Sequence, residues 1–314
     1  MNKPKVYIDG KEGTTGLQIY ERLGGRDDIE LLLIDEDKRK DTQERKKFLN
    51  AADLVFLCLP DAAAVEAVSL IENAKTKVID ASTAHRTAPG WVYGFAELLP
   101  GQRQRIKFAS RVANPGCHAT GFLSTVAPLV NLDILPKDYP LACYSLTGYS
   151  GGGKKLIAEY EAPDRDPRLA SPAPYALGLG HKHLPEMQTV AGLTMAPNFL
   201  PVLGDIYKGM TTCIMLQNNL LKGKPSAQDI RDLLCNYYQD QKLVRVAEFG
   251  GSGPRLYTNE LAGKDYLEIT VSGNGDQTLL SAQFDNLGKG ASGAAVQNMN
   301  LMLGFEETAG LNVD

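Results

Sequence analysis

The chain has 314 residues, of which 43% are hydrophobic and 22% are charged, and its formal net charge at pH 7 is −4. This length suits about two globular domains, and the net negative charge gives no electrostatic reason to expect nucleic acid or an anionic membrane as a partner. No apolar run approaches the ~20 residues that span a bilayer, and the opening residues lack the hydrophobic segment of a signal peptide. We therefore expect a cytoplasmic globular protein.

Apolar segments alternate with amphipathic segments over the first part of the chain. The predicted strands are KVYID, IELLLID, DLVFLCLP and KVIDAS, and the predicted helices are TGLQIYERL and AAAVEAVSLIENA. Such alternation is typical of a doubly wound parallel sheet with helices on both faces. We expect residues 1–116 to form a Rossmann-like nucleotide-binding domain.

Three glycines, Gly10, Gly13 and Gly16, lie between the first predicted strand and the first predicted helix. Glycines there permit a tight turn and let a pyrophosphate approach the N–H groups at the start of the helix, where the helix dipole favours an anion. The spacing is G-x-x-G-x-x-G rather than the commoner G-x-G-x-x-G, so a plain turn is the alternative interpretation. The position between a strand and a helix favours dinucleotide binding.

Charged residues after the second predicted strand bear on the choice between NAD and NADP. Asp35 stands where an acidic residue would bind the ribose 2′-hydroxyl of NAD, whereas Lys38, Arg39 and Lys40 follow it and would accommodate a 2′-phosphate. A solvated run of surface charge is the alternative for these three basic residues. The residues alone leave the cofactor preference open.

After residue 116 the pattern changes to strands with few helices between them. The predicted strands are LACYSLTG, GMTTCIMLQ, LVRVAEF, YLEITVSGN and TLLSAQF, which favours a mostly antiparallel sheet in an α+β catalytic domain over residues 117–285. A helix is predicted after Ser226, where Asp229 follows three residues later, close to a capping box. The helix GASGAAVQNMNLMLGF falls in the C-terminal segment 286–314, which we expect to return to the first domain.

Cys117 differs from the other four cysteines. Cys58, Cys143, Cys213 and Cys235 lie in apolar runs, where a thiol behaves as a small hydrophobe, but Cys117 follows Pro and Gly in NPGCHATG at the predicted start of a helix. The helix dipole stabilises a thiolate there and makes it a nucleophile near neutral pH. A buried structural thiol is the alternative interpretation.

Two histidines could exchange protons with this thiol. His181 and His183 lie in GHKHLPEM, in a Gly- and Pro-rich stretch just before a predicted helix, and partners of this kind meet in space rather than in sequence. A surface or core role is the alternative for each histidine alone. A zinc site made of Cys117, His181 and His183 would quench the nucleophile and would lack a carboxylate or a second cysteine, so we expect no metal.

Two further segments offer groups for an anionic substrate. Arg86 follows a predicted strand in DASTAHR, and loops at the carboxyl ends of parallel strands surround the ligand crevice of such sheets. Its guanidinium would hold phosphate or carboxylate through two parallel hydrogen bonds, and a surface arginine is the alternative. The segment TGYSGGGKK, residues 147–155, is compatible with a phosphate cradle or with a mobile hairpin.

The segment VANPGCHATGFLSTVAP closely resembles the active-site cysteine segment of the N-acetyl-gamma-glutamyl-phosphate reductases, the third-step enzymes of arginine biosynthesis. The segments GKEGTTG, DASTAHR, TGYSGGGKK, GHKHLPEM and FDNLGKGASGAAVQNMNLMLGFEETAGL resemble other segments of that family in the same order. His118 stands where the long form of the family usually has an aromatic residue, and the span before DLVFLCLP is compact. In both respects the chain resembles the short variant, type 2.

The resemblance implies an NADP-dependent reductase related to the glyceraldehyde-phosphate and aspartate-semialdehyde dehydrogenases, assembled as a homodimer or homotetramer. It implies that Cys117 attacks N-acetyl-gamma-glutamyl phosphate, that a thioacyl-enzyme forms, and that NADPH reduces it to N-acetyl-glutamate semialdehyde. His181 or His183 would move the proton, and we expect His181 because it is nearer the glycine-rich bend. The other expected site residues are Arg86, Asn114, Ser150 and Lys154 for the substrate, and Gly10, Gly13, Thr14, Thr15, Gly16, Ser82, Asn286 and Gly290 for the cofactor.

Other functions fit parts of the sequence. An aspartate-semialdehyde dehydrogenase-like reductase would share the architecture and differ in its acyl phosphate. A cysteine hydrolase or acyltransferase would use Cys117 and a histidine without a redox cofactor, and a nucleotide sensor would not need Cys117. A titration with NADPH and a comparison of two acyl phosphates as substrates separate these alternatives.

Overall fold

A computed structural model describes residues 3–11, 13–251 and 253–314. The chain divides into two compact units. Unit 1 comprises the chain as far as Ala96 together with Gly101–Pro115 and Ala291–Leu311, and unit 2 comprises Glu97–Pro100, Gly116–Gly290 and Asn312–Asp314. Within the described residues, no helix is both long enough and apolar enough to cross a membrane.

Unit 1 contains a six-stranded parallel sheet. Its strands are β1 (Lys5–Asp9), β2 (Glu30–Leu32), β3 (Leu54–Leu57), β4 (Lys77–Asp80), β5 (Val92–Tyr93) and β6 (Arg111–Ala113), and its first helices are α1 (Thr14–Leu23), α2 (Thr42–Ala51), α3 (Asp61–Ser69) and α4 (Gln102–Phe108). The strand order is β2-β1-β3-β4-β6-β5, and every pairing is parallel. The predicted doubly wound parallel sheet is confirmed.

The order of the strands reverses between β1 and β3, because the chain continues to one side of β1 with β2 and to the other side with β3. In open α/β sheets, ligands bind outside the carboxyl ends of the strands at such a reversal. Gly10 follows β1 and Cys58 follows β3. The glycine turn therefore lies at the place where this topology binds nucleotides.

Unit 2 contains a seven-stranded mixed sheet. Its elements are α5 (Cys117–Asn131), β7 (Ala142–Gly148), α6 (Gly153–Tyr160), β8 (Ala173–Pro174), α7 (Leu184–Ala191), β9 (Asn198–Gly204), β10 (Met210–Gln217), α8 (Ala227–Tyr238), β11 (Val244–Val246), β12 (Leu267–Gly273) and β13 (Gln277–Phe284). The strand order is β11-β12-β13-β10-β7-β9-β8, in which only β11/β12 and β7/β9 are parallel among the described pairings. The prediction of a mostly antiparallel sheet is confirmed.

A last helix, α9 (Gly293–Leu303), follows a π-helical turn over Gly288–Ser292. Helix α9 packs into the core of unit 1, where Val296 and Met299 join Val6 and Ile8 of β1 in one cluster. Tyr7 of β1 points to the opposite face of the sheet and packs with residues of α2 and α3, as the alternation of side chains along a strand requires. Helices thus cover both faces of the parallel sheet.

The predicted capping box of α8 is confirmed, since the Ser226 hydroxyl accepts from Asp229 N–H and the Asp229 carboxylate accepts from Ser226 N–H. Several elements escaped prediction: α2, α4, β5, β6, β8 and β9. Helix α2 buries only Arg45 and Leu49, so it lacks the apolar periodicity of an amphipathic helix. The hairpin alternative for residues 147–155 is wrong, because β7 ends in a 3₁₀ turn that leads into α6.

Candidate active site

Cys117 is the first residue of α5, and Gly116 is the N-cap of that helix. From His118 to Leu129 every residue of α5 is buried, whereas Cys117 remains partly exposed. The first hydrogen bond of the helix runs from Thr120 N–H to the Gly116 carbonyl, so three N–H groups, beginning with that of Cys117, precede it. The predicted placement of this thiol at a helix N-terminus, where a thiolate is favoured, is confirmed.

Gly290 lies directly against Cys117. A Cβ atom built on Gly290 would lie 3.0 Å from the Cys117 Cβ and 3.1 Å from Cε2 of Phe284. Because carbon atoms prefer separations of about 3.5–4.0 Å, only glycine fits here without moving its neighbours. The backbone at Gly290 therefore fixes one side of the thiol's position.

Glu186 contacts the N-terminus of α5. Its Oε1 accepts a hydrogen bond of 2.8 Å from Gly116 N–H, and the side chain is buried. A carboxylate at the N-terminus of a helix is stabilised by the helix dipole, so this bond joins the start of α7 to the start of α5. Glu186 lies in GHKHLPEM, and its position three residues after His183 was the only signal in the sequence for its role.

Three histidines lie together next to the thiol's helix. The ring of His118 is 5.3 Å from that of His181 and 5.7 Å from that of His183, and the latter two are 4.8 Å apart. His183 is buried, and His181 is partly exposed. The structure thus brings both predicted proton carriers together with the residue that follows Cys117.

A backbone hydrogen bond fixes the tautomer of His181. Its Nδ1 accepts from the N–H of His183 at 3.1 Å, so in the neutral ring the proton is on Nε2. The neutral ring of His181 therefore presents Nε2–H as a hydrogen-bond donor.

His118 bonds to two hydroxyl groups. Its Nδ1 lies 2.8 Å from the Ser145 hydroxyl and its Nε2 lies 2.8 Å from the Tyr175 hydroxyl. Burial, followed by the positive charges of His181 and Lys182, lowers the pKa of His118 to about 3, so this ring is neutral near pH 7. From the sequence, His118 was visible only as a departure from the long form of the family.

Tyr175 is a residue that sequence reasoning missed. It lies in the Pro-rich loop before His181, and burial, followed by the charge of Cys117, raises its pKa. The tyrosine is therefore protonated near neutral pH and lies within electrostatic reach of the thiol. An aromatic residue in a loop was the only available signal in the sequence.

Three of the remaining cysteines resist ionisation. Burial raises the pKa of Cys58 to about 12, and burial also raises the pKa of Cys143 and of Cys213. Because the thiolate is the nucleophile, these thiols are poor candidates for covalent chemistry. Their apolar surroundings agree with the sequence analysis.

The residues expected to hold the substrate lie in both units. In unit 1, the guanidinium of Arg86 donates from Nε to the Asn114 carbonyl at 3.0 Å, and the Asn114 amide donates to the Ala291 carbonyl at 3.0 Å. In unit 2, the Ser150 hydroxyl accepts from Asn286 at 3.0 Å, and Lys154 is exposed in the first turn of α6. Contact of these residues with a substrate stays a prediction.

The glycine turn of unit 1 has the shape of a phosphate cradle. A Cβ on Gly10 would lie 2.4 Å from the Cys58 carbonyl oxygen, and one on Gly16 would lie 2.5 Å from the Gly10 carbonyl oxygen, so the fold requires glycine at both positions. A Cβ on Gly13 would make ordinary contacts, the nearest at 3.5 Å. The buried Thr14 hydroxyl has no hydrogen-bond partner among the described residues. This fits a hydroxyl that donates a hydrogen bond to an oxygen atom of a bound ligand.

A cavity of about 410 Å³ adjoins this turn at the carboxyl ends of β1 and β2, a size typical of ligand sites. Its lining includes Gly10, Ile34, Glu36, Arg39 and Lys40. Lys38 is not among the lining residues, and its ammonium pairs with Asp35 at 3.1 Å on the surface. The residues therefore fit a dinucleotide, with the diphosphate at the start of α1 and two cations for a phosphate at the other end.

A buried ion pair in this cavity wall was not predicted. Arg45 of α2 donates to Asp9 at the end of β1, with Nη2 to Oδ2 at 2.8 Å, and a second carboxylate, that of Glu66, lies 3.6 Å from its Nη1. Ser82 lies just after β4 and is held by Asp80, which accepts from both its N–H and its hydroxyl. Side-chain pairs of this kind depend on which strand neighbours which helix, and the sequence does not show that.

Family models cover most of the chain. The model described as semialdehyde dehydrogenase, NAD binding domain, matches residues 5–107, and the model described as semialdehyde dehydrogenase, dimerisation domain, matches residues 117–286. The chain is 49% identical over 322 residues to N-acetyl-gamma-glutamyl-phosphate reductase 2 of Nostoc sp., which covers 99% of this chain and 100% of that protein. The chain belongs to the N-acetyl-gamma-glutamyl-phosphate reductase family.

A second family member agrees with this assignment, and a solved structure shares the fold. The chain is 47% identical over 318 residues to N-acetyl-gamma-glutamyl-phosphate reductase 2 of Pseudomonas putida, with 99% of this chain and 100% of that protein covered. Its fold is similar to that of aspartate semialdehyde dehydrogenase II from Vibrio cholerae, with a TM-score of 0.75 and 17% identity over 96% of this chain and 99% of that one. The resemblance found in the sequence is confirmed, and the solved structure shows the shared fold.

Proposed function

We propose that the chain is an NADP-dependent reductase that converts N-acetyl-gamma-glutamyl phosphate into N-acetyl-glutamate semialdehyde and inorganic phosphate, in arginine biosynthesis. The observation that carries the proposal is Cys117 at the N-terminus of a buried helix beside three histidines, in a chain of this family. Relatives 47–49% identical over nearly the whole chain bear the name of this reductase.

Cys117 supplies the nucleophile. Its thiolate attacks the gamma-acyl carbon, the bond from that carbon to the phosphate oxygen breaks, and a thioester forms as phosphate leaves. The N–H groups in the first turn of α5 are placed to donate to the oxyanion. NADPH, when bound, supplies the hydride that reduces the thioester, and collapse of the resulting hemithioacetal returns the thiolate of Cys117.

We assign different roles to the two histidines. We assign the acid to His181, whose neutral ring presents Nε2–H while Nδ1 accepts from the backbone. The proton from Nε2 goes to the oxygen of the hemithioacetal as charge develops there, and it returns to Nε2 when the hemithioacetal collapses to the aldehyde and the thiolate. His183, whose ring is 4.8 Å from that of His181, is the group we assign to receive the thiol proton of Cys117.

Charged and polar residues would hold the two ends of the substrate. Arg86 and Lys154 supply cations for its phosphate or carboxylate, and Asn114 and Ser150 supply polar groups. The backbone hydrogen bonds of Arg86 hold its guanidinium in one orientation, which suits recognition of a planar anion.

We assign cofactor binding to residues 1–116, catalysis to residues 117–285, and a return to the first domain to residues 286–314. The N–H groups of the first turn of α1 and the hydroxyls of Thr14 and Thr15 would bind the diphosphate of NADP, and Arg39 and Lys40 its 2′-phosphate. We expect the cofactor to contact three further residues, Ser82, Asn286 and Gly290.

We infer that two copies associate through the exposed face of the mixed sheet, as a dimer or as a tetramer of such dimers. Tyr144, Leu200 and Met215 are 37%, 39% and 53% exposed on adjoining strands, and the matching family model is described as a dimerisation domain. Light scattering should report a dimer or tetramer for the wild type and a monomer for Met215→Lys. An unchanged mass in Met215→Lys, with Met195→Lys in a loop as the control, would contradict this assignment.

The reverse reaction tests the proposed activity. Purified enzyme with N-acetyl-glutamate semialdehyde, NADP and phosphate should form NADPH, and kcat/KM with aspartate semialdehyde should be lower by at least about a hundredfold, since a site built for one set of polar groups rejects a substrate that leaves them unpaired. Comparable values for the two aldehydes would favour the aspartate-semialdehyde dehydrogenase-like alternative. The absence of NADPH formation with either would refute the redox function.

A further inference from the structure

Basic side chains outnumber acidic ones in the lining of the cavity next to the glycine turn, within the part of the chain that the structure describes. The charged residues of the lining are Lys11, Arg39, Lys40 and Arg45 on the basic side and Asp9 and Glu36 on the acidic side. The cavity therefore carries an excess of positive charge, which suits a dinucleotide with several phosphate groups. The ion pairs between these side chains show where the excess lies.

Each acid of this lining is matched by an arginine. The Asp9 carboxylate accepts from Nη2 of Arg45 at 2.8 Å in a buried pair. The Glu36 carboxylate lies 3.8 Å from Nη1 of Arg39. The charges of both arginines are therefore offset by a neighbouring carboxylate, and a phosphate would have to compete with that carboxylate.

The excess charge belongs to the two lysines, one at each end of the cavity. Lys11 lies in the glycine turn, and its ammonium is 4.4 Å from the ring centroid of Tyr20 in α1. Such a contact with an aromatic face holds a cation in place without neutralising its charge. Lys40 lies in the turn between β2 and α2.

Lys40 differs from the two cations that precede it in this turn. Lys38 and Arg39 each pair with the acid three residues before them. The acid three residues before Lys40 is Asp37, but the two form no ion pair among the described residues, and only Lys40 lines the cavity. The next acid, Asp41, accepts from two backbone N–H groups as the N-cap of α2.

The acid that would favour NAD does not line the cavity. The carboxylate of Asp35 is exposed and accepts from the ammonium of Lys38 at 3.1 Å on the surface. An acid at the end of the second strand selects NAD by binding the hydroxyls of the ribose. Asp35 is not placed to do so here.

We propose that Lys11 binds the diphosphate that NADP and NAD share, and that Lys40 binds the 2′-phosphate, so that Lys40 is the residue that gives the chain its preference for NADP. Lys11 directly follows Gly10 and precedes α1, whose N-terminus favours an anion. Lys40 follows β2, where such folds place the adenosine ribose. The inference rests on the proposed function in taking NADP as the cofactor.

Titrations of the enzyme with NADPH and with NADH, followed by fluorescence in the absence of substrate, test the two assignments. Lys40→Met should raise the Kd for NADPH about 10–100-fold, the size expected for one hydrogen bond to a charged group. It should change the Kd for NADH by no more than about twofold. Lys11→Met should raise both Kd values by about the same factor, on the order of tenfold.

Variants of the two neighbouring cations are the matched controls. Lys38→Met removes the same charge from the same turn, but that ammonium is engaged by Asp35 outside the cavity, so both Kd values should stay within about twofold of wild type. Arg39→Met should raise the Kd for NADPH less than Lys40→Met does, because Glu36 already offsets the charge of Arg39.

Competition with nucleotide fragments locates the effect of Lys40 on one phosphate. Adenosine 2′,5′-bisphosphate and adenosine 5′-monophosphate differ only in the 2′-phosphate, and each should displace NADPH from the wild-type enzyme. Lys40→Met should weaken the bisphosphate by the factor that it costs NADPH and should leave the monophosphate unchanged. Lys11→Met should weaken both fragments.

Several results would overturn the inference. They are an unchanged Kd for NADPH in Lys40→Met, an equal rise for NADPH and NADH in that variant, a larger loss in Arg39→Met, and unchanged Kd values in Lys11→Met. A wild-type enzyme that binds NADPH and NADH equally would also overturn it but would leave the reductase function intact. A wild-type enzyme that binds neither would refute the proposed function as well, which the reverse reaction tests separately.

Discussion

Replacement of Gly290 by alanine should displace the catalytic thiol. The added Cβ would lie 3.0 Å from the Cys117 Cβ, whereas carbon atoms settle at about 3.5–4.0 Å, so the neighbouring atoms must give by a few tenths of an ångström. Misplacement by ~1 Å in an active site costs on the order of a hundredfold in rate. We therefore expect kcat to fall about three- to tenfold in Gly290→Ala.

Steady-state kinetics measure this loss, and alkylation of Cys117 in the free enzyme shows whether the thiol itself has moved, independently of any contact of Gly290 with the cofactor. The control is Gly275→Ala, since a Cβ at Gly275 would meet no atom within 4 Å. A folded Gly290→Ala variant with kcat and alkylation rate within twofold of wild type would refute the reasoning.

Three other outcomes follow from the geometry. Gly13→Val should raise the Kd for NADPH at least tenfold in a fluorescence titration without unfolding unit 1, because a Cβ at Gly13 makes only ordinary contacts, whereas Gly25→Val should not change it. Lys289→Met should lower the free energy of unfolding by about 3–5 kcal/mol in urea titrations, because it leaves Glu97 buried without the ammonium now 2.8 Å away. The exposed control Lys222→Met should cost at most ~1 kcal/mol, and equal losses would contradict the burial of the first pair. The pKa of His118 is about 3 in the fold and about 6.5 in an unfolded chain, so between these values the unfolded state binds more protons and stability falls as the pH falls. From pH 7 to pH 5 the wild type should lose about 2 kcal/mol through this group, and His118→Gln should lose that much less over the same change in pH; identical pH profiles would show that the ring is not buried as described.

The parallel sheet could be predicted because its core strands are short apolar runs, and the segments between them have apolar residues at the spacing of an amphipathic helix. Helix α2 could not, since its sequence TQERKKFLNA is mostly polar and the helix buries a charged side chain, Arg45, against Asp9. Strand β9 was missed because Pro201 interrupts it, and its pairing with β7 is visible only in the fold.

The placement of Cys117 at a helix N-terminus could be predicted because it is the cysteine that follows a Pro-Gly turn. The two predicted histidines lie together in the structure, but the tautomer of His181 could not be predicted, since it depends on the backbone N–H of His183. Tyr175 and Glu186 reach the site from separate segments. Such residues carry no local pattern, because only the packing of α7 and the Pro-rich loop brings them to α5.

Mass spectrometry of the intact enzyme tests the central claim most directly. When N-acetyl-glutamate semialdehyde and NADP are mixed with the enzyme in the absence of phosphate, the oxidised acyl group should remain on the enzyme as a thioester. The account predicts a mass increase of one acyl group located on Cys117, its absence after pretreatment with iodoacetamide, and both its absence and a turnover lower by orders of magnitude in Cys117→Ser. Near-normal turnover in Cys117→Ser, or an acyl group on another cysteine, would contradict it.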